Sequence, residues 1–208
     1  MKKQIAFVFI ITFIIGIQQL SSQVYSSTVN LGQKTLAIRE IRRDAITGNI
    51  GWNSLTGIGI SYHHYLGKQL GIEAGVGLAS TGIKFGGRFS YLFSHKNFSP
   101  FVSAGFLYGL GSGNTQVDYE FDGNLFKYTV SSSPYAQIGG GIEYINNNGF
   151  MFSAILGYAI LLKNSNYEII PGTGTPTDDD IRVLDILYGS GLVMEFTIGY
   201  AFGGKNIK

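Results

Sequence analysis

The feature that most constrains this chain is a strict two-residue alternation, which is clearest near its C-terminal end. Over residues 192–202, large apolar or aromatic side chains occupy the even positions, and the odd positions hold mostly small residues with Glu195 and Thr197. This period of two indicates a β-strand. Because the second face carries little charge, we predict that the large face contacts lipid. The length fits the roughly 9 to 11 residues that a transmembrane strand requires.

The same alternation recurs in six earlier segments, so the sequence predicts seven clear strands. In the last strand, large side chains at even positions continue back past Ser190 to Leu184. We therefore predict that this strand extends back to Leu184. The six earlier segments are residues 57–63, 70–79, 85–93, 100–110, 136–144 and 150–160.

The connections between these segments predict one further strand. Tight turns follow every second strand, at Gly67, near Lys96 and at Asn147. Single-chain outer-membrane barrels usually have an even number of strands, with short periplasmic turns and longer outer loops. We therefore predict that residues 28–41 form the first strand and residues 42–53 an outer loop. A short helix is the alternative for residues 28–41.

Composition and charge exclude several classes of protein. Charged residues make up only 13% of the chain, about half the usual share for a soluble domain. Residues 1–22 have two lysines and then a largely apolar run, the pattern of a cleaved signal peptide. Its removal leaves residues 23–208 as the barrel domain, with 13 basic and 13 acidic residues. This balance gives no basic patch for nucleic acid, and the lack of cysteine excludes disulfides.

Two long connections are candidates for contact with other molecules. The first, residues 111–133, contains two strand-like runs around Asp122 and Gly123, which predict a hairpin. The second, residues 163–183, is polar and contains prolines, glycines and three adjacent aspartates. We predict that both lie outside the cell and could contact an extracellular or envelope protein.

The alternation, the hairpins and the aromatic final strand, which ends Gly199-Tyr200-Ala201-Phe202, resemble the small outer-membrane β-barrel family. The similarity is to OmpX-like barrels, the OmpA transmembrane domain and porin-family barrel domains, and it covers residues 23–202. It implies an all-β, eight-stranded antiparallel up-and-down transmembrane β-barrel in the cell outer membrane, surrounded by membrane lipids.

The resemblance is specific for architecture, so several functions stay open. We expect a structural, adhesion or partner-binding role through the outer loops. An accessory barrel of a secretion or transport machine, or a narrow channel, is the first alternative. A soluble lipocalin-like carrier is an alternative of another class, and it would place the large apolar residues inside the barrel.

Six polar residues are predicted to point into the barrel. Eight strands leave an interior that side chains fill, and an unpaired buried carboxylate costs several kcal/mol. Arg88 is the only inward base in the predicted strands, so we expect it to pair with at least one glutamate in a stabilising network. A gated ion or proton path is the alternative. The six residues are Glu73, Arg88, Gln137, Glu143, Glu195 and Thr197.

Outward aromatic residues near the strand ends predict interfacial girdles, as in other membrane barrels. These residues are Tyr62, Tyr91, Tyr108, Tyr144, Tyr158, Tyr200 and Phe202.

We predict no catalytic, cofactor-binding or metal site. The three histidines, His63, His64 and His95, lie by the tight turns, away from the outer leaflet where a lipid-modifying enzyme would need its base. Neighbouring strand residues also point to opposite faces, which disfavours a His63 and His64 metal pair. Residues 178–180 are interpreted as a solvated acidic loop rather than a calcium site. Glycines 139–141 lie inside a strand and so do not form a phosphate loop.

Overall fold

Eight strands close into an antiparallel barrel, and each barrel strand pairs with the next along the chain until the last pairs with the first. The computed structural model describes residues 37–113, 115–121 and 124–203. This confirms the predicted all-β, eight-stranded up-and-down fold. The barrel strands are β1 (Asp44–Trp52), β2 (Ile58–Tyr65), β3 (Leu70–Ala79), β4 (Gly82–Leu92), β5 (Phe98–Gly109), β8 (Ser133–Ile145), β9 (Phe150–Leu161) and β11 (Gly191–Phe202).

Three shorter strands and two helices complete the described part of the chain. They are α1 (Ile38–Ile41), β6 (Val117–Phe121), β7 (Asn124–Val130), β10 (Tyr167–Ile169) and α2 (Asp178–Tyr188). Neither helix has the length and apolar character that crossing a membrane requires. The predicted signal peptide, residues 23–36 and the Asp122-Gly123 turn lie outside the described residues.

The two faces of the barrel wall differ sharply in side-chain type. Large apolar side chains point outward and are exposed, for example Ile58 at 66%, Phe89 at 71% and Phe106 at 67%. The inward positions alternate with them and hold small or polar residues, such as Ser61 and Ser103. This orientation is opposite to the one that a lipocalin-like carrier requires.

The prediction for the first strand was wrong. Residues 38–41 form α1, and the first barrel strand is β1, within the segment that was predicted to be an outer loop. Strand β1 pairs with both β2 and β11 and closes the barrel. Its alternation is weak in the sequence because Thr47 and Asn49 face inward, while Gly48 interrupts the outward apolar face.

Strands β6, β7 and β10 form a separate three-stranded sheet beside α2, and we call these four elements the outer cap. Pairing of β6 with β7 confirms the predicted hairpin. The predicted extension of the last strand back to Leu184 was wrong, because that segment is α2. Leu184 and Tyr188 are one helical turn apart and both buried, and this spacing also matches even positions of a strand.

The N-terminus of α2 explains the run of aspartates. Thr177 is the N-cap residue, and its hydroxyl accepts a hydrogen bond from the backbone N–H of Asp180. The Asp180 carboxylate accepts from the backbone N–H of Thr177 in return. Asp178 and Asp179 are exposed in the first turn, where negative charge is favoured by the helix dipole. The run is therefore a helix start and not the solvated loop predicted from the sequence.

Hydrogen bonds attach the outer cap to the barrel. The Tyr135 hydroxyl donates to the Tyr188 carbonyl, and the Asn166 amide donates to the same carbonyl at 2.8 Å and to Ser133 Oγ at 2.8 Å. Burial and a hydrogen bond with Tyr128 raise the pKa of Tyr188. Burial and a hydrogen bond to Asp185 likewise raise the pKa of Tyr167 to about 12. Both phenols therefore stay neutral, and the Tyr167 hydroxyl donates to Asp185.

The packing of two neighbouring glycines gives a test of this wall. A Cβ on Gly199 would lie 2.2 Å from the Ile46 carbonyl oxygen, whereas the nearest atom to one on Gly48 lies at 3.9 Å. We expect Gly199→Ala to lower the free energy of unfolding by about 1 to 3 kcal/mol through overpacking. Gly48→Ala should change it by less than about 0.5 kcal/mol.

The measurement is urea unfolding in detergent micelles, followed by the fluorescence of Trp52, which is the single tryptophan. Equal effects of the two substitutions would contradict the observed pairing of β1 with β11.

Candidate functional site: the barrel interior

The interior is filled at three levels. One apolar cluster lies at the end with the tight turns, which we call the short-turn end, and a second lies towards the outer cap, at the long-loop end. Polar side chains lie between them. The first cluster comprises Ile38, Ala45, Tyr65, Leu92, Phe101, Ile145, Met151, Ile155 and Ala201. The second comprises Leu55, Leu107, Tyr135, Ala159 and Val193.

An arginine between two glutamates forms the centre of the polar level. Arg88 Nε donates to Glu73, and Arg88 Nη2 donates to Glu195. The exposed fractions of these residues are only 3%, 6% and 1%. Glu73 and Arg88 are cross-strand partners on β3 and β4, while Glu195 is on β11. The Thr197 hydroxyl lies beside Glu195 at 3.5 Å.

Four further residues extend the network on the Glu73 side, and the sequence analysis did not include them. Ser61 Oγ donates to Glu73 Oε1 at 2.6 Å, and Asn49 Nδ2 lies 3.3 Å from the same oxygen. Thr47 Oγ1 lies 2.8 Å from Ser61 Oγ and 3.1 Å from His63 Nε2. Ser61 and His63 were visible as inward positions of a predicted strand. Thr47 and Asn49 belong to β1, which was not predicted.

Glu195 also holds the connection between β1 and β2, residues 53–57, which we call the inner loop. The backbone N–H of Leu55 donates to Glu195 Oε2 at 2.9 Å, and Leu55 itself is 0% exposed. Gln137 Nε2 donates to the Asn53 carbonyl at 3.2 Å. Asn53 has a φ of 48°, in the left-handed region that asparagine tolerates better than most residues. The inner loop therefore turns into the barrel and closes its long-loop end.

Helix α1 closes the short-turn end through Arg39, which is 0% exposed. Arg39 Nε donates to Glu143 Oε1 at 2.8 Å, and its Nη1 donates to the carbonyls of Ser94 and Lys96. Tyr65 donates its hydroxyl to the other oxygen of Glu143 at 2.8 Å. Glu143 thus belongs to a second ion pair, separate from the Arg88 network.

The prediction that Arg88 is the only inward base was wrong. Arg39 enters from α1, and Lys84 on β4 is only 3% exposed. Lys84 Nζ lies 5.4 Å from the centroid of the Tyr135 ring. The predicted strand began at residue 85. Extending it by one residue towards the N-terminus would have placed Lys84 at the next inward position.

The predicted girdle tyrosines are all outward and exposed, between 36% and 53%. Tyr108 and Tyr158 are near the long-loop end, and Phe202 is half-buried opposite Asp44 at the short-turn end. The remaining four, Tyr62, Tyr91, Tyr144 and Tyr200, are nearer the short-turn end.

The geometry around the histidines does not match a catalytic or metal site. Ser61 Oγ and Glu73 Oε1 both face His63 Nε2, at 3.2 and 3.4 Å. A nucleophilic triad instead places its serine and its acid on opposite ring nitrogens. His64 points to the other face, where its Nδ1 lies 2.7 Å from Asp44 Oδ1. The described residues contain no group of three or more potential metal ligands among His, Cys, Asp and Glu.

Comparison with known proteins finds similarity among solved structures, of which four chains match. No protein-family model matches the chain, and no curated protein matches it either. The crystal structure of the N-terminal β-barrel domain of Pseudomonas aeruginosa OprF is similar, with 15% sequence identity and a TM-score of 0.45. The similarity covers 77% of this chain and 98% of that one.

The central network predicts a large cost for removing its only arginine. Arg88→Met leaves Glu73 and Glu195 buried without their main partner, so we expect a loss of about 3 to 5 kcal/mol in the free energy of unfolding. Adding Glu73→Gln and Glu195→Gln should restore a large part of this loss. Arg182→Met, which breaks an exposed pair with Asp179, should cost less than about 1 kcal/mol. Similar urea midpoints for Arg88→Met and Arg182→Met would contradict the network.

The second ion pair predicts energetic coupling between α1 and β8. We expect Arg39→Met and Glu143→Gln each to destabilise the barrel, and the double variant to be less destabilised than the sum by about 0.5 to 3 kcal/mol. The same unfolding assay measures all four proteins of this cycle. Additive effects would show that Arg39 does not hold α1 through Glu143.

Proposed function

We propose that this chain is an integral outer-membrane β-barrel with a sealed interior, whose outer cap contacts an extracellular or envelope partner. Its role is structural or adhesive, and it is not an enzyme. The observation that carries this proposal is the combination of an apolar outer wall with a lumen filled by paired polar groups.

The outer wall supports insertion into a membrane. Exposed large apolar residues occur on every barrel strand, with representatives Ile50, Ile60, Leu78, Phe89, Phe106, Ile138, Leu156 and Ile198. Soluble monomers rarely expose contiguous apolar patches larger than a few hundred Å². Membrane lipids would cover this surface, and the strands of 8 to 13 residues have lengths compatible with crossing a bilayer.

The filled lumen argues against a narrow channel. Leu55 blocks the long-loop end and Arg39 the short-turn end, each at 0% exposure. The arginines and glutamates of the interior pair with one another and do not line an open path. We therefore interpret the polar network as a stabilising element and place the function at the outer surfaces.

The outer cap is the part of the described chain best suited to contact a partner. Its own core includes Phe126, Tyr128 and Leu184, and this core supports a fixed surface. Leu125 and Ile186 remain exposed on that surface, at 56% and 64%. Exposed apolar residues on a rigid support lose little conformational entropy on binding, which favours recognition.

Cell fractionation with surface proteolysis tests this proposal. We expect the protein to remain with outer membranes and a protease-sensitive tag inserted at Asp122-Gly123 to be cleaved on intact cells. A second tag after Lys208 serves as the control and should be cleaved only after the outer membrane is permeabilised. Release as a soluble periplasmic protein would contradict membrane insertion, and cleavage of only the Lys208 tag would contradict the orientation.

A further inference from the structure

A cavity of about 310 Å³ lies at the long-loop end of the barrel, next to the inner loop. Strand β1 continues to Trp52, and the ladder between β1 and β2 ends where Ile50 meets Ile58. One further backbone hydrogen bond, from the Gly51 N–H to the Gly57 carbonyl at 3.0 Å, follows this last pair. The inner loop leaves the wall at this point and enters the lumen. The cavity lies between this loop and the turn that joins β3 to β4.

The residues that line this cavity come from both faces of the wall. Trp52, Ile58 and Leu78 are outward and exposed, at 41%, 66% and 65%. Thr81 and Lys84 line the same cavity and are buried, each at 3%. The cavity therefore brings the apolar outer surface of the barrel next to an interior cation.

Lys84 has no anionic partner within the described residues. None of their ion pairs or hydrogen bonds includes its ammonium group, which lies 5.4 Å from the centroid of the Tyr135 ring. The nearby acid Glu195 already accepts hydrogen bonds from Arg88 and from the Leu55 backbone. A lysine ammonium has three donors, and burying them without acceptors is costly.

A second polar atom at the cavity also lacks a partner. Thr81 Oγ1 is buried and makes no hydrogen bond to any described residue. The Thr81 hydroxyl and the Lys84 ammonium could both donate to the same acceptor in the cavity. A carboxylate or phosphate group provides several acceptor oxygens and the charge that Lys84 lacks.

We infer that this cavity binds an anionic amphiphile. Its carboxylate or phosphate contacts Lys84 and Thr81, and its hydrocarbon chain lies along Trp52, Ile58 and Leu78. The volume is at the lower end of the roughly 300 to 1,000 Å³ range of small-molecule sites, so the cavity holds the head group while the chain extends over the outer wall. A free anion would use the head-group contacts but not the apolar ones.

The inference rests on the membrane insertion proposed above, so the test is done on the purified full-length chain in uncharged detergent micelles. The probe is dibromostearic acid, and its methyl ester is the neutral control. Bromine quenches tryptophan fluorescence at short range, and Trp52 is the single tryptophan of the chain. This readout does not depend on which membrane holds the protein or on a partner of the outer cap.

We expect saturable quenching by the acid at neutral pH, with an apparent affinity at least about tenfold higher than that of the ester. Lys84→Met should abolish this preference. A tenfold loss of affinity corresponds to about 1.4 kcal/mol of binding free energy. Lys127→Met removes a positive charge from the outer cap, outside the cavity, and should leave the preference unchanged. The comparison of acid and ester uses the unaltered chain, so it stands even if Lys84→Met does not fold.

Three results would overturn the inference. Equal quenching by acid and ester would show that the hydrocarbon chain of the probe merely partitions onto the outer wall, without recognition of its head group. An unchanged preference in Lys84→Met would show that another group binds the acid. Displacement of the acid by millimolar inorganic phosphate would identify a site for free anions instead of an amphiphile.

Discussion

The pairing of Arg88 with Glu73 and Glu195 is the interaction on which the rest of the interior depends. It joins the paired strands β3 and β4 to β11 across the lumen, and β11 pairs with neither of them. Through the second oxygen of Glu195 it also holds the inner loop. Removing one partner of a buried ion pair is far more costly than replacing both partners with apolar residues, because it leaves a buried charge unpaired. Each of these charges therefore fixes the position of its partners.

The same interior explains why we place the function at the outer surfaces. Besides His63, the described interior carries three basic side chains, Arg39, Lys84 and Arg88, and three glutamates, Glu73, Glu143 and Glu195. Two of the bases contact carboxylates, and they seal the lumen at its centre and at the short-turn end. Lys84 is the one of the three that forms no ion pair with a described acid, and it lines the cavity at the long-loop end. The filled interior thus has one lysine without a paired acid, and its cavity is also lined by apolar residues of the outer wall.

Much of the fold could be predicted because outward apolar residues must alternate with interior ones in every barrel strand. That rule found seven strands, and it failed where the pattern was weak or ambiguous. Strand β1 was missed because of Gly48, Thr47 and Asn49, and α2 was read as strand because Leu184 and Tyr188 fit both periods. Inward positions such as Glu73 and Arg88 could be read from the alternation. The contacts of Leu55 with Glu195 and of Arg39 with Glu143 join residues 140 and 104 positions apart, and no local pattern encodes them.

Hydrogen exchange at the backbone amide of Leu55 tests the sealed interior most directly. In a loop exposed to water this amide would exchange as fast as those of other mobile connections. The hydrogen bond to Glu195 inside a closed lumen instead predicts protection similar to that of the barrel-strand amides, measured by NMR in micelles. Rapid exchange at Leu55, with the strands still protected, would show that the inner loop does not close the barrel.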